Sequence, residues 1–128
     1  MQDYHDFIDE VLVDEEAIQK RVAELGAQIS RDYAGDELLI VCLLRGGITF
    51  SADLTRYLTI SHTLDCMSLS SYGVGHYASS GNVRVNLDLM TNIEGLNVLL
   101  VEDIVDSGRT LAHVDGRSLG TDRHDTGW

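Results

Sequence analysis

The sequence has no proline, little positive charge and no long apolar run, and two of these absences exclude whole classes of partner. A membrane-spanning helix needs about 20 consecutive apolar residues, and no segment approaches that length. Lys and Arg number 9 against 21 Asp and Glu, so the formal net charge is −12. Because nucleic acids and anionic membranes attract basic surfaces, and no local basic cluster is present, we expect neither as a partner. The absence of proline supports no functional inference.

Cysteine is scarce as well, with Cys42 and Cys66 both lying in apolar, strand-like runs. Their separation gives neither a C-x-x-C motif nor a zinc-ligand spacing, so we expect reduced thiols rather than a disulfide. The histidines have no metal-ligand spacing either, and none is assigned a role. Since the acidic N-terminus lacks the basic start of a signal peptide, we expect a cytoplasmic protein.

Apolar spacing predicts one α/β domain, in which a mostly parallel sheet is flanked by helices. Asp14 suits the start of a first helix and Gly35 its end. Residues on one face of that helix are Ile18, Val22, Leu25, Ile29 and Tyr33. Strands are predicted at 37–44, 62–70, 83–87 and 98–101, a second helix at about 48–58, and a loop at 71–81. Residues 1–13 contain either a small strand or a lead-in segment.

The most informative stretch is residues 97–111, N-V-L-L-V-E-D-I-V-D-S-G-R-T-L. Its apolar run is typical of a strand buried on both faces, and it ends at two carboxylates, Glu102 and Asp103. The small and hydroxyl residues that follow suit a turn into a helix N-terminus, where backbone N–H groups and the helix dipole bind phosphate. The spacing matches neither a Walker loop nor the dinucleotide G-x-G-x-x-G. It suits a ribose 5-phosphate, whose hydroxyls or bound Mg²⁺ would face the acids. The alternative is a buried strand followed by an acidic turn with no ligand.

This stretch resembles the phosphoribosyl-pyrophosphate (PRPP) binding motif of type I phosphoribosyltransferases, and E-D-I-V-D-S-G is most similar to the hypoxanthine-guanine branch. The resemblance implies transfer of phosphoribosyl from PRPP to hypoxanthine or guanine in purine salvage, giving IMP or GMP and pyrophosphate. It implies that Glu102 and Asp103 hold the ribose hydroxyls or Mg²⁺, and that Asp106 is the general acid or base near the purine. The residues implied to bind the 5′-phosphate are Ser107, Gly108, Arg109 and Thr110. It also implies a homo-oligomer, a dimer or a tetramer.

Two further segments resemble the same family. Leu44-Arg45-Gly46 follows a predicted strand, and the matching turn of the family contacts pyrophosphate through a peptide bond that can be cis without proline. Arg45 and Gly46 are therefore implied to bind pyrophosphate, at the sheet edge where Glu102 and Asp103 are also expected. The glycine- and serine-rich residues 71–81 resemble the family's mobile lid, which would bring Ser71 and Tyr72 to the pyrophosphate. Without a ligand these segments would be a surface arginine beside a glycine turn and a plain flexible hairpin.

The resemblance ends near residue 114, so residues 1–114 are predicted to be the N-terminal part of a phosphoribosyltransferase domain and residues 115–128 an irregular or disordered tail. In the family, the lysine and aromatic residue that contact the purine lie further along the chain. We therefore expect a core that is incomplete at the C-terminal side, with uncertain activity. A xanthine-preferring transferase, a non-catalytic PRPP or nucleotide sensor on the same fold, and an inactive remnant stay open.

Overall fold

The computed structural model describes residues 4–71 and 83–104, and strand β1 (Leu38–Leu44) lies at the centre of its sheet. The uninterrupted apolar sequence of β1 is buried on both faces from Leu38 to Leu43. Its neighbours β2 (His62–Ser71) and β4 (Asn97–Val101) both run parallel to it, and β3 (Val83–Leu87) pairs antiparallel with β2. The strand order is β3-β2-β1-β4. This mixed, mostly parallel sheet with helices packed on it confirms the predicted α/β fold class.

Two helices pack on one face of the sheet. Helix α1 (Glu15–Asp32) begins at Asp14, whose Oδ1 accepts the Ala17 N–H at 2.8 Å as predicted for an N-cap. Helix α2 (Ile48–Arg56) connects β1 to β2. The predicted apolar face of α1 is confirmed except at its first residue, because Ile18 remains 48% exposed. Helix α1 ends at Asp32, ahead of the predicted stop at Gly35, which has a φ of 86° in the turn that follows.

The helix-side core contains Leu38 and Ile40 of β1 together with side chains of α1, α2 and β4. Close contact between the helices depends on Gly26, since a Cβ placed there would lie 2.5 Å from the Cβ of Tyr57. Ser30 links the same two segments: its hydroxyl donates to the Gly26 carbonyl at 2.7 Å and accepts the Thr59 N–H at 3.0 Å.

The opposite face of β1 presents Leu39, Val41 and Leu43, which pack with Met67 of β2. The connection from β3 to β4 contributes to this cluster the partly buried side chains of Leu89, Ile93 and Leu96. Asp65 on β2 holds that connection in place by accepting hydrogen bonds from its backbone. Its Oδ2 accepts the N–H groups of Met90 at 3.0 Å and Thr91 at 2.9 Å, and its Oδ1 accepts the Cys66 N–H at 2.7 Å. The ionised form of a carboxyl group only accepts hydrogen bonds, so three N–H donors favour the ionised form of Asp65.

Other predictions have mixed outcomes. The antiparallel pairing across the predicted loop is confirmed, with a register shift between Ser68 and Leu69. The lead-in segment contains a 3₁₀ turn at Tyr4–Phe7 rather than a strand. Strand β4 is less buried than its apolar sequence predicted, because Leu99 and Val101 are buried but the alternate residues are only half-buried. Across the described residues, no helix is long and apolar enough to cross a membrane.

Candidate phosphate and metal site

The turn after β1 leads directly into α2 and forms one side of the site. The Leu44-Arg45 peptide bond is cis, which agrees with the bond that the family resemblance implied. The Gly47 N–H donates to the Leu43 carbonyl at 3.1 Å, and the Ile48 N–H donates to the Arg45 carbonyl at 3.2 Å. These hydrogen bonds fold the chain back at the end of β1 and direct the first turn of α2 toward the edge of the sheet.

The start of α2 has a property that the sequence reasoning missed. Its N-cap residue is Gly47, and among the residues that the structure describes no side chain accepts a hydrogen bond from the first backbone N–H groups of the helix. The Ile48 N–H is already bonded to the Arg45 carbonyl, but the next N–H groups of the helix, together with the positive end of its dipole, favour an anion at this position. The sequence signal was available, because a glycine stands where Ser, Thr, Asp or Asn would normally cap a helix.

Arg45 lies exposed beside this helix start. Within the described ranges 4–71 and 83–104, its guanidinium makes no hydrogen bond or ion pair. A planar guanidinium can donate two parallel hydrogen bonds to a phosphate group. Arg45 and the start of α2 therefore offer an anion two kinds of donor from adjacent positions in the chain.

The end of β4 forms the other side of the site and approaches the same turn. A Cβ placed on Gly46 would lie 2.7 Å from the Cγ of Asp103, and its nearest neighbours would all be atoms of the Asp103 carboxyl group. A Cβ placed on Gly47 would lie 2.7 Å from the Leu43 carbonyl oxygen and 2.9 Å from that of Val101. The two glycines thus allow the strand ends to meet at the sheet edge where Arg45, Glu102 and Asp103 were expected.

The two acidic residues of the motif differ in exposure. Glu102 is half-buried, whereas Asp103 is exposed and its Oδ1 accepts the Ile104 N–H at 2.9 Å. This hydrogen bond and the contact with Gly46 hold the Asp103 carboxylate over the β1 turn. Carboxylate oxygens suit Mg²⁺, which commonly takes one or two of them together with substrate oxygens. Over the described part of the chain, no group of three or more His, Cys, Asp or Glu residues could hold a metal by itself.

Several predicted site residues cannot be placed. The backbone of Ser71 ends β2 opposite Val83. The remaining ones lie outside the described residues, namely Tyr72, Asp106, Ser107, Gly108, Arg109 and Thr110. The structure therefore brings Gly46 and Asp103 together, and Arg45 and Glu102 are their neighbours in the chain. The roles assigned to all of these residues remain predictions.

Comparison with known proteins gives consistent results. The chain is 46% identical over 107 residues to the hypoxanthine phosphoribosyltransferase of Escherichia coli K12, which covers 82% of this chain and 60% of that protein. It is 47% identical over 109 residues to the hypoxanthine-guanine phosphoribosyltransferase of Dictyostelium discoideum, again covering 82% of this chain and 60% of the relative. The chain thus spans about 60% of the length of these curated relatives.

Solved structures agree with the sequence relatives. A hypoxanthine phosphoribosyltransferase of Staphylococcus aureus superposes with a TM-score of 0.82 at 37% identity, covering 91% of this chain and 62% of that one. The Trypanosoma cruzi enzyme in complex with the product IMP gives a TM-score of 0.78 at 36% identity, covering 91% and 65%. The family model described as "Phosphoribosyl transferase domain" matches residues 10–114. The strand ends meet at Gly46 and Asp103, and this family model covers most of the chain. The chain therefore belongs to the phosphoribosyltransferase family.

Proposed function

We propose that this chain provides the PRPP-binding side of a purine-salvage phosphoribosyltransferase, which transfers phosphoribosyl to hypoxanthine or guanine and gives IMP or GMP plus pyrophosphate. The observation that carries the proposal is the meeting of the Asp103 carboxylate with the Gly46 turn. PRPP has a pyrophosphate and two ribose hydroxyls on neighbouring carbons, so it needs anion donors and hydroxyl acceptors side by side. The turn supplies the donors and the end of β4 supplies the acceptors.

Each residue has a defined part in this proposal. Arg45, Gly46 and the uncapped N-terminus of α2 bind the pyrophosphate, whose negative charge matches the guanidinium and the open N–H groups. Glu102 and Asp103 accept hydrogen bonds from the ribose hydroxyls or bind Mg²⁺. Ser71 and Tyr72 are assigned to the pyrophosphate side of a closing lid, which would exclude water from the reacting carbon.

The remaining steps are assigned to the second half of the motif. Asp106 exchanges a proton with the purine as a general acid or base. Four consecutive residues hold the 5′-phosphate, namely Ser107, Gly108, Arg109 and Thr110. When bound, Mg²⁺ supplies positive charge that stabilises the departing pyrophosphate. The protein is proposed to be cytoplasmic and to form a homo-oligomer.

Calorimetric titration of the chain with PRPP tests the binding part of the proposal. We expect saturable binding that requires Mg²⁺ and that free pyrophosphate displaces, whereas ATP, which lacks a ribose 1-pyrophosphate, does not compete. Absence of PRPP binding in the presence of Mg²⁺ would contradict the assigned site.

A transfer assay tests the reaction separately. The chain is incubated with PRPP, Mg²⁺ and either hypoxanthine, guanine or xanthine, and nucleoside monophosphates are separated by chromatography. IMP or GMP is the expected product. Formation of xanthosine monophosphate alone would reassign the purine. PRPP binding without any product would contradict transfer by this chain and leave two readings, a ligand-sensing role and a PRPP-binding part that needs the purine-contacting residues the matched segment does not include.

A further inference from the structure

The only two cysteines of the chain are direct neighbours across the sheet. Cys42 of β1 and Cys66 of β2 are register partners in a parallel pair of strands. Register partners project from the same face of a sheet, and adjacent strands lie about 4.8 Å apart. Disulfides form between residues whose Cα atoms are roughly 4.4–6.8 Å apart. This proximity could not be predicted from the sequence, because the cysteines are distant in the chain and match no thiol motif.

The two thiols are on neighbouring strands and differ in their access to solvent. Cys42 is fully buried, whereas Cys66 is half-buried. Burial raises the pKa of the Cys66 thiol, and the adjacent Cys42 raises that pKa further, as does nearby Asp65. An oxidation product of Cys66 that carries a permanent charge would cost free energy to bury at this position. A disulfide is neutral and suits the apolar surroundings. Reagents can reach the pair only through Cys66.

We propose that Cys42 and Cys66 form a redox pair, which hydrogen peroxide converts into an intramolecular disulfide between β1 and β2. The Cys66 thiolate first attacks one peroxide oxygen, so that an S–O bond forms, the O–O bond breaks and hydroxide leaves. The Cys42 sulfur then attacks the sulfur of this sulfenic acid, forming the S–S bond as the S–O bond breaks and water leaves. Both sulfurs are oxidised, the peroxide is reduced, and the two thiol protons end in two molecules of water. The structure holds the reduced form of the pair.

The order of reaction follows from the burial difference. Cys66 reacts first because it is the thiol that solvent reaches, and Cys42 acts as the resolving thiol because it is the register partner of Cys66 on the adjacent strand. The raised pKa keeps the thiolate fraction small, so oxidation by peroxide is slow compared with that of an activated cysteine. Resolution is fast, since the second sulfur needs no rearrangement of the chain. The sulfenic acid therefore does not accumulate in the unmodified protein.

Peroxide treatment of the 128-residue chain, followed by denaturing alkylation and mass spectrometry, tests the proposal. The expected product is a monomer that has lost the mass of two hydrogen atoms, resists alkylation, and yields a peptide joined through Cys42 and Cys66. Dithiothreitol should restore both thiols. Separate sulfinic acids on the two cysteines, a disulfide-linked dimer as the main product, or thiols that persist under peroxide would each overturn it.

Two matched variants test the order of the steps. In Cys42→Ser the sulfenic acid on Cys66 has no resolving thiol, so dimedone should trap it. In Cys66→Ser the buried Cys42 should stay reduced under the same treatment. If the proposed difference in solvent access is wrong, the one remaining cysteine should react with peroxide to the same extent in both variants. Circular dichroism shows whether each variant retains the fold, and wild-type protein unfolded in urea provides the reference in which both thiols are equally accessible.

Discussion

Replacement of Gly46 by alanine tests the contact that joins the two halves of the proposed site. The added Cβ would lie 2.7 Å from the Asp103 Cγ, whereas carbon atoms in ordinary contact are about 3.5–4.0 Å apart. The carboxylate or the turn must therefore shift by roughly 1 Å. Asp103 is exposed and its carboxyl group is the end of a short side chain, so we expect the side chain to move while the strands stay in place.

The expected consequences for stability and for binding differ. Because the group that moves is exposed, the free energy of unfolding should change by less than about 1 kcal/mol. Binding of PRPP with Mg²⁺ should weaken by roughly 10- to 100-fold, as is typical when a group that orients a metal ligand is disturbed, which corresponds to about 1.4–2.8 kcal/mol. Gly47→Ala provides the contrast. Its Cβ would meet the Leu43 and Val101 carbonyl oxygens, which are backbone atoms, so that variant should lose stability.

A double-mutant cycle isolates the contact. PRPP affinity in Mg²⁺ is measured by calorimetry for the wild type, Gly46→Ala, Asp103→Ala and the double variant, and urea unfolding is measured for each. With the Asp103 carboxyl group removed, alanine at position 46 meets no obstacle, so its cost in affinity should disappear. An equal loss of affinity in both backgrounds would show that the alanine acts elsewhere. Unchanged affinity in the single variant would refute the proposed role of the contact.

Three further predictions concern stability, measured by urea unfolding. Asp65→Asn should cost about 1–2 kcal/mol near neutral pH. The asparagine amide has only one oxygen, so it cannot accept both the Cys66 and the Thr91 N–H groups as the two carboxylate oxygens do. Burial opposes ionisation of Asp65, but hydrogen bonds from the Thr91 side chain and from nearby backbone N–H groups outweigh it and lower the pKa. A lowered folded-state pKa stabilises the fold above the unfolded pKa, so the difference from wild type should shrink as the pH falls below about 4 and persist at neutral pH. Gly26→Ala should cost about 1–3 kcal/mol despite the better helix propensity of alanine, since its Cβ would meet Tyr57. Ser51→Ala should stabilise the protein by up to about 1 kcal/mol, because the buried Ser51 hydroxyl has no hydrogen-bond partner among the described residues. A pH-independent Asp65→Asn effect, a more stable Gly26→Ala variant or a less stable Ser51→Ala variant would contradict the corresponding contact.

Local patterns were sufficient to predict most elements. The run L-L-I-V-C-L-L gave β1 to within a residue, and Asp14 identified the start of α1, because burial of a parallel strand and capping of a helix depend on neighbouring residues. The exposure of Ile18 could not be foreseen, since it depends on where α1 lies on the sheet. The ends of α1 and α2 were predicted two or three residues too late, because the turns after them are fixed by contacts such as that of Tyr57 with Gly26.

The candidate site was predictable in part, because some of its residues follow directly from local strand patterns. Arg45 and Asp103 were expected at one sheet edge because both follow parallel strands, and the pairing of β1 with β4 places them there. The contact of Asp103 with Gly46 and the register of Cys42 with Cys66 involve residues far apart in the chain. Such contacts depend on strand order and register, which periodicity within one segment does not determine.

The most direct test of the central claim, that this chain forms a PRPP site, is its thermal unfolding with Mg²⁺ in the presence and absence of PRPP. A ligand that binds only the folded state, at 100 times its dissociation constant, adds about 2.7 kcal/mol and raises the midpoint by several degrees. We predict one cooperative transition that shifts upward only when PRPP and Mg²⁺ are both present. A transition that ignores PRPP, or shifts equally with PRPP alone, would contradict the site built from Arg45, Gly46 and Asp103.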